Sequence, residues 1–283
     1  MLPKKLFFPV GGGDELQGRI CGALLVAKHF NTHLEILVSQ MNLTKTIPQG
    51  IGISDDILKR LEKVYLENLE NDNKKDQEIL KRCAKELDIE LSDYPIDDKT
   101  TVHLNVIAGL RGQLVAQQSK FCDMVIAATP PKGEPTATFE AAVTESGKPV
   151  MIIPREMKKF STDNVLIGWN NSPQASRAIT EAIPILKQAK NVHIVSSKEY
   201  VTDGYVRVKA LQAYLKLHGI DTTFSVTKTT FVPGEALLNA AKENNADLIV
   251  AGAYGHKGVK ELFLGGSAKY ILKHTHIPTF VSH

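Results

Sequence analysis

The segment Cys122-Asp123-Met124-Val125-Ile126-Ala127-Ala128 has a counterpart in Ala246-Asp247-Leu248-Ile249-Val250-Ala251-Gly252. Each is a small residue, an Asp and a short apolar run that closes on small residues. Each follows a stretch of helical character, 110–119 in one case and 234–244 in the other. Each leads into a loop, a helix, a Pro and a last apolar run, 148–154 and 277–283. The beginnings correspond too: Leu6-Phe7-Phe8-Pro9-Val10 and Val165-Leu166-Ile167-Gly168-Trp169 are continuous apolar runs before a polar or Gly turn and a helix. Self-similarity over this length means one supersecondary unit built twice.

Apolar runs without alternation mark strands buried on both faces, the habit of parallel sheets. Strands that alternate with helices of period about 3.6 then give a doubly wound α/β unit. The expected strands are 5–10, 33–39, 101–107, 123–128 and 149–153, then 164–169, 191–196, 222–228, 247–251 and 278–282. The expected helices are 14–29, 54–87, 110–119 and 136–146, then 173–188, 203–218, 234–244 and 261–273. The helix at 54–87 is rich in Lys and Glu, with a stripe of Ile57, Leu58, Leu61, Val64, Leu66 and Leu69. A break is expected near Asn71-Asp72-Asn73. Residues 41–52 read as a loop. The fold class is therefore α/β, two tandem Rossmann-like domains, each a doubly wound five-stranded parallel sheet. The charged linker 155–162 separates them, and the domains are taken as 1–156 and 157–283.

A length of 283 residues suits two domains. The formal charge of +3 is too small to argue for nucleic acid. It is uneven: residues 1–158 hold 20 Lys/Arg against 22 Asp/Glu, and the rest hold 14 against 9, which tilts the second half toward an anionic ligand. Cys21, Cys83 and Cys122 are an odd number without metal spacing, and Cys21 and Cys122 lie in apolar runs. No disulfide framework is expected, which suits a reducing cytoplasm. Neither a signal-peptide core nor a membrane-spanning run is evident, so the expectation is a cytoplasmic protein with no membrane or nucleic-acid partner.

Ligands of open α/β sheets bind beyond the carboxyl ends of strands near a switch point. After the fourth strand of the second half comes Gly252-x2-Gly255, nine residues, then Gly265-Gly266-Ser267. Glycines let backbone approach a ligand closely, and freed N–H groups at a helix N-terminus receive an anion. Loop glycines with a Ser-type cap are the plainer alternative. No Walker A motif and no G-x-G-x-x-G after a first strand occurs.

This loop, the ending Leu272–His283 in which Ile277-Pro278-Thr279-Phe280-Val281 closes the chain, and Val165–Ser172 resemble the universal stress protein family. The resemblance spans the chain as a tandem two-domain member and is stronger in the second half. It implies an adenine nucleotide alpha hydrolase-like fold that binds ATP (or ADP or AMP), with or without Mg2+, in a stress-response or regulatory protein. The family pattern is G-x2-G-x9-G-[ST]. Gly252, Gly255 and Gly265 match its spacing, Gly266 stands where Ser or Thr is usual, and Ser267 comes one residue late. Asn170 stands where ATP binders carry an Asp. Val195 matches the place whose backbone holds adenine, and Gly168 and Trp169 flank the same strand end. The nucleotide-binding set is thus Gly168, Trp169, Asn170, Val195, Gly252, Gly255, Gly265, Gly266 and Ser267. The resemblance also implies that the halves pack through their final strands as a pseudo-dimer, with a homodimer of the whole chain.

In the first half Ala128-Thr129-Pro130-Pro131-Lys132-Gly133-Glu134-Pro135 replaces the loop. Proline lacks the N–H that a phosphate nest needs. Gly11-Gly12-Gly13-Asp14 is a weaker phosphate candidate, because Asp14 would repel an anion. His256, Lys257 and Lys260 flank the glycine loop as steering charges or solvated residues. His274, His276 and His283 do not make a metal set, and no catalytic triad or nucleophile elbow is recognisable. A slow ATPase and a non-nucleotide interaction module are the alternatives to a regulatory nucleotide binder.

Overall fold

The computed structural model describes residues 1–10, 14–40, 54–201, 204–227, 233–253 and 266–282. The first half runs β1 (Lys5–Val10), α1 (Leu16–Phe30), β2 (His33–Gln40), α2 (Asp55–Glu86), β3 (Glu90–Leu91), β4 (Thr101–Ala108), α3 (Arg111–Gln118), β5 (Met124–Ala128), α4 (Ala137–Thr144) and β6 (Val150–Ile153). The second half runs β7 (Asn164–Gly168), α5 (Pro173–Leu186), β8 (Asn191–Ser197), α6 (Val206–Leu217), β9 (Thr223–Thr227), α7 (Pro233–Glu243), β10 (Leu248–Gly252), α8 (Gly266–His274) and β11 (Thr279–Ser282).

Among the described residues the strands form one sheet in the order β3-β4-β2-β1-β5-β6-β11-β10-β7-β8-β9. Numbered from the start of its own half, each side reads 3-2-1-4-5 apart from the short edge strand β3. The central strands are closed on both faces: Leu6, Phe7 and Phe8 of β1 and Leu248, Ile249 and Val250 of β10 are buried. That is why these runs carry no polar alternation.

All pairings within a half are parallel. Among the described residues the one antiparallel pairing joins the halves: β11 meets β6 with Phe280 opposite Met151 and Val281 opposite Val150. Both sides of this seam are buried, with Phe280 and Met151 in one core and Val150, Ile152, Val281 and Leu272 in another. The halves therefore share hydrophobic cores as well as backbone hydrogen bonds.

Three expectations are corrected. Cys21 and Cys83 form a disulfide, with Cα atoms 5.5 Å apart. The bridge staples α1 to α2 where Leu80, Cys83 and Ala84 are buried, beside a bond from Arg82 Nη2 to Gln17 Oε1 of 2.7 Å. The odd cysteine is Cys122, which is free and buried. The two partners lie 62 residues apart, and helical periodicity does not say which helix covers α2. The cysteine argument for a reducing compartment loses its footing accordingly. Second, α2 runs unbroken through Asn71-Asp72-Asn73 as a helix of 32 residues. Asn and Asp cost only tenths of a kcal/mol in a helix, and exposed pairs such as Glu70–Lys74 at 2.8 Å offset part of that. Third, the two-residue β3 on the sheet edge is too short for any period to reveal. Residues 41–52 and Gly11–Gly13 lie outside the described residues. Among those described, no helix is long and apolar enough to cross a membrane.

Candidate functional site

Each half has a switch point, between β1 and β5 in the first and between β7 and β10 in the second. In the second half, Gly168 ends β7 in register with Val195 of β8 on one side and Ala251 of β10 on the other. Gly168, Trp169, Asn170, Val195 and Gly252 thus meet at neighbouring strand ends. Val195 sits two residues before the end of β8. Its carbonyl accepts the Trp169 N–H at 2.8 Å. The Ser196 hydroxyl donates to the Trp169 carbonyl at 2.7 Å. The Trp169 ring packs on the core, and its Nε1 is buried with no hydrogen-bond partner among the described residues.

Asn170 is exposed, and its Oδ1 accepts the Ser172 N–H at 3.1 Å. Ser172 then caps α5, its Oγ accepting from the Ala175 N–H at 3.2 Å. Asn171 completes the turn with φ 58°, a left-handed conformation that Asn tolerates. The Asn170 oxygen therefore shapes the entry to α5, and its amide NH2 is the group left for a ribose hydroxyl.

Gly252 has a steric use that its motif does not show. Its φ is not among the positive values. A Cβ there would lie 2.4 Å from the Ala175 nitrogen and 2.8 Å from the Gln174 carbonyl carbon. The glycine is needed because the first turn of α5 presses on the end of β10. Gly252→Ala is expected to destabilise the protein by about 1–3 kcal/mol through this overpacking. An unchanged urea midpoint would contradict that. Gly266 opens α8 and Ser267 falls in its first turn. Gly255, Gly265, His256, Lys257 and Lys260 lie outside the described residues.

The first-half loop keeps its N–H groups for itself. Thr129 N donates to Ile153 O at 2.8 Å, Gly133 N to Pro130 O at 3.0 Å and Glu134 N to Pro131 O at 3.1 Å. The loop instead docks on the second half. Gly133, at φ +72°, lies so close to α8 that a Cβ would stand 2.7 Å from the Lys273 Cβ. Lys269 on the same helix is 3.7 Å from Glu134.

Behind that loop, at the β1/β5 switch point, is a cavity of about 190 Å³ that the sequence did not disclose. Arg19, Arg111 and Arg155 line it, from α1, α3 and the segment after β6. Three isolated arginines on three elements carry no spacing signal; only the sheet order brings them together.

Doubly wound sheets of this strand order define a Rossmann-like class of α/β fold. Residues 161–283 match the family model described as the universal stress protein family, so this segment carries the domain of that family. Over 49 residues the chain is 39% identical to the universal stress protein Slr1101 of Synechocystis, a match to 17% of this chain and 45% of that protein, less than half its length. It is 21% identical over 272 residues to Slr1230 of the same organism, covering 93% of this chain and 90% of that one. A universal stress protein structure from Archaeoglobus fulgidus superimposes with a TM-score of 0.69 at 17% identity, over 98% of this chain and 97% of that one. The fold is therefore shared over the whole length, and the sequence match is concentrated in the second half.

Proposed function

We propose that the protein binds ATP, or the related ADP or AMP, at the strand ends of its second half. It acts there as a regulatory protein of the stress response and not as an efficient enzyme. The match of residues 161–283 to the universal stress protein family supports the stress-response role. The observation that carries the binding reading is the register of Gly168 with Val195 and Ala251, next to Gly252, at the switch point. Gly265, Gly266 and Ser267 would supply the phosphate-binding N–H groups at the start of α8. Asn170 offers a hydrogen bond and no charge for Mg2+, which favours binding over hydrolysis. A homodimer would have to use a surface other than the final strands, because β6 and β11 already pair with each other.

The test is nucleotide analysis of protein denatured after purification, followed by ATP titration. The chain has one tryptophan, so quenching of Trp169 reports binding directly at the site. Gly265→Asp places a carboxylate in the phosphate cradle and is expected to weaken ATP binding by at least tenfold with the melting temperature retained. No nucleotide in the purified protein and no saturable titration would leave a non-nucleotide interaction module. Mg2+-dependent turnover well above background would make the protein an ATPase.

A further inference from the structure

The first half has lost the glycine loop, yet the described residues leave a cavity at its switch point. The cavity opens at the ends of β1 and β5, walled by Phe8, Ala128 and Phe139. Three arginines line it from separate elements. Arg19 is only 3% exposed. Arg111 is oriented by a bond from its Nε to Ser39 Oγ of 2.8 Å. Arg155 donates Nη1 to the Thr129 carbonyl at 3.2 Å and Nη2 to the Asp14 carbonyl at 2.6 Å, and pairs through Nε with Glu15.

These bonds fix where the guanidinium groups point more than they neutralise them. Ser39, Thr129 and Asp14 contribute a hydroxyl and two backbone carbonyls, which carry no charge. Among the described residues, Glu15 pairs with Arg155 and acts on Arg19, and Asp76 lies within electrostatic range of Arg19. Three cations thus converge in a partly desolvated place. Burial lowers the proton affinity of Arg19, and Arg155 and Arg111 lower it further. Charges held out of water in this way call for a counter-ion.

We propose that this cavity is a second, separate anion site that takes a compact phosphoryl group, as pyrophosphate or a small phosphate monoester, on Arg19, Arg111 and Arg155. Planar guanidinium forks match the oxygens of a phosphoryl dianion and bond two at a time. Thr138 lines the same space. A volume of about 190 Å³ is below the roughly 300–1,000 Å³ of pockets that enclose a drug-sized ligand, so a whole nucleotide is too large for it. The site is independent of the nucleotide reading for the second half.

The test is calorimetric titration of the full-length protein with inorganic pyrophosphate and with phosphate, at constant ionic strength. Succinate in place of phosphate separates phosphoryl recognition from general anion binding. Arg111→Gln removes the guanidinium that is not paired to a carboxylate and is expected to weaken binding by roughly tenfold to a hundredfold, the loss of charge-assisted hydrogen bonds. Arg19→Met should do at least as much; because Arg19 is buried, its melting curve is recorded alongside. In Gly265→Asp, pyrophosphate binding should persist. The proposal is overturned if wild-type protein shows no saturable binding at millimolar pyrophosphate. Equal affinity in Arg111→Gln, equal binding of succinate, or loss of the signal in Gly265→Asp would overturn it as well.

Discussion

Reduction of the Cys21–Cys83 bridge is expected to lower the stability of the protein by about 4 kcal/mol. The bridge closes a loop of 62 residues, and restricting the unfolded chain over such a loop is worth ~4 kcal/mol on the chain-entropy account. The folded side offers little to replace it. The outer part of α2 is exposed, with Val64 and Leu66 more than half accessible, so this helix is held mainly by its last turns. There Lys28 Nζ bonds the Leu87 carbonyl at 2.6 Å and Leu80 and Ala84 are buried on α1. Urea melts with and without a phosphine reductant measure the difference, and Cys83→Ser should reproduce the reduced curve. Cys122 does not confuse the result, because burial pushes its thiol up to about 12 and keeps it protonated. Coincident oxidised and reduced midpoints would dismiss the staple.

Phe280→Ala is expected to cost about 3–5 kcal/mol, the usual range for emptying a buried phenyl ring. Phe280 is 1% exposed and stands opposite Met151, itself fully buried, in the antiparallel seam. The cavity would open on both halves at once, since Met151, Ile153 and Val250 share its core. Loss of stability should therefore appear together in Trp169 fluorescence, which reads the second half, and in far-UV circular dichroism, which reads both. A shift in the fluorescence midpoint alone would mean that the halves melt separately. An unshifted pair of midpoints would mean that the seam contributes nothing.

Much of the architecture was legible in the sequence. The unalternating runs at 5–10, 123–128, 164–169 and 247–251 became the central strands of the sheet, because a strand covered on both faces has no polar side to show. The prolines of 130–131 marked this segment as a loop unlike the glycine loop of the second half. Its second role, docking on α8 through Gly133, was not legible, because contact between residues 133 and 273 has no local signature. The α/β class and the family resemblance rested on local patterns, and the findings agree with both.

What the sequence determined by itself was everything carried by neighbours along the chain: strand and helix periods, turn chemistry and the repeat. What only the tertiary structure decided was everything carried by neighbours in space. The antiparallel seam of β6 and β11 merged the halves into one sheet. The packing of α1 on α2 brought two distant cysteines together, and the order β1-β5 assembled three scattered arginines around one cavity. Gly252 stands at the division between the two. Its motif marked it as a residue of interest, but its reason for being glycine is the nitrogen of Ala175, 77 positions earlier in the chain, because steric exclusion acts through distance in space and leaves no period in the sequence.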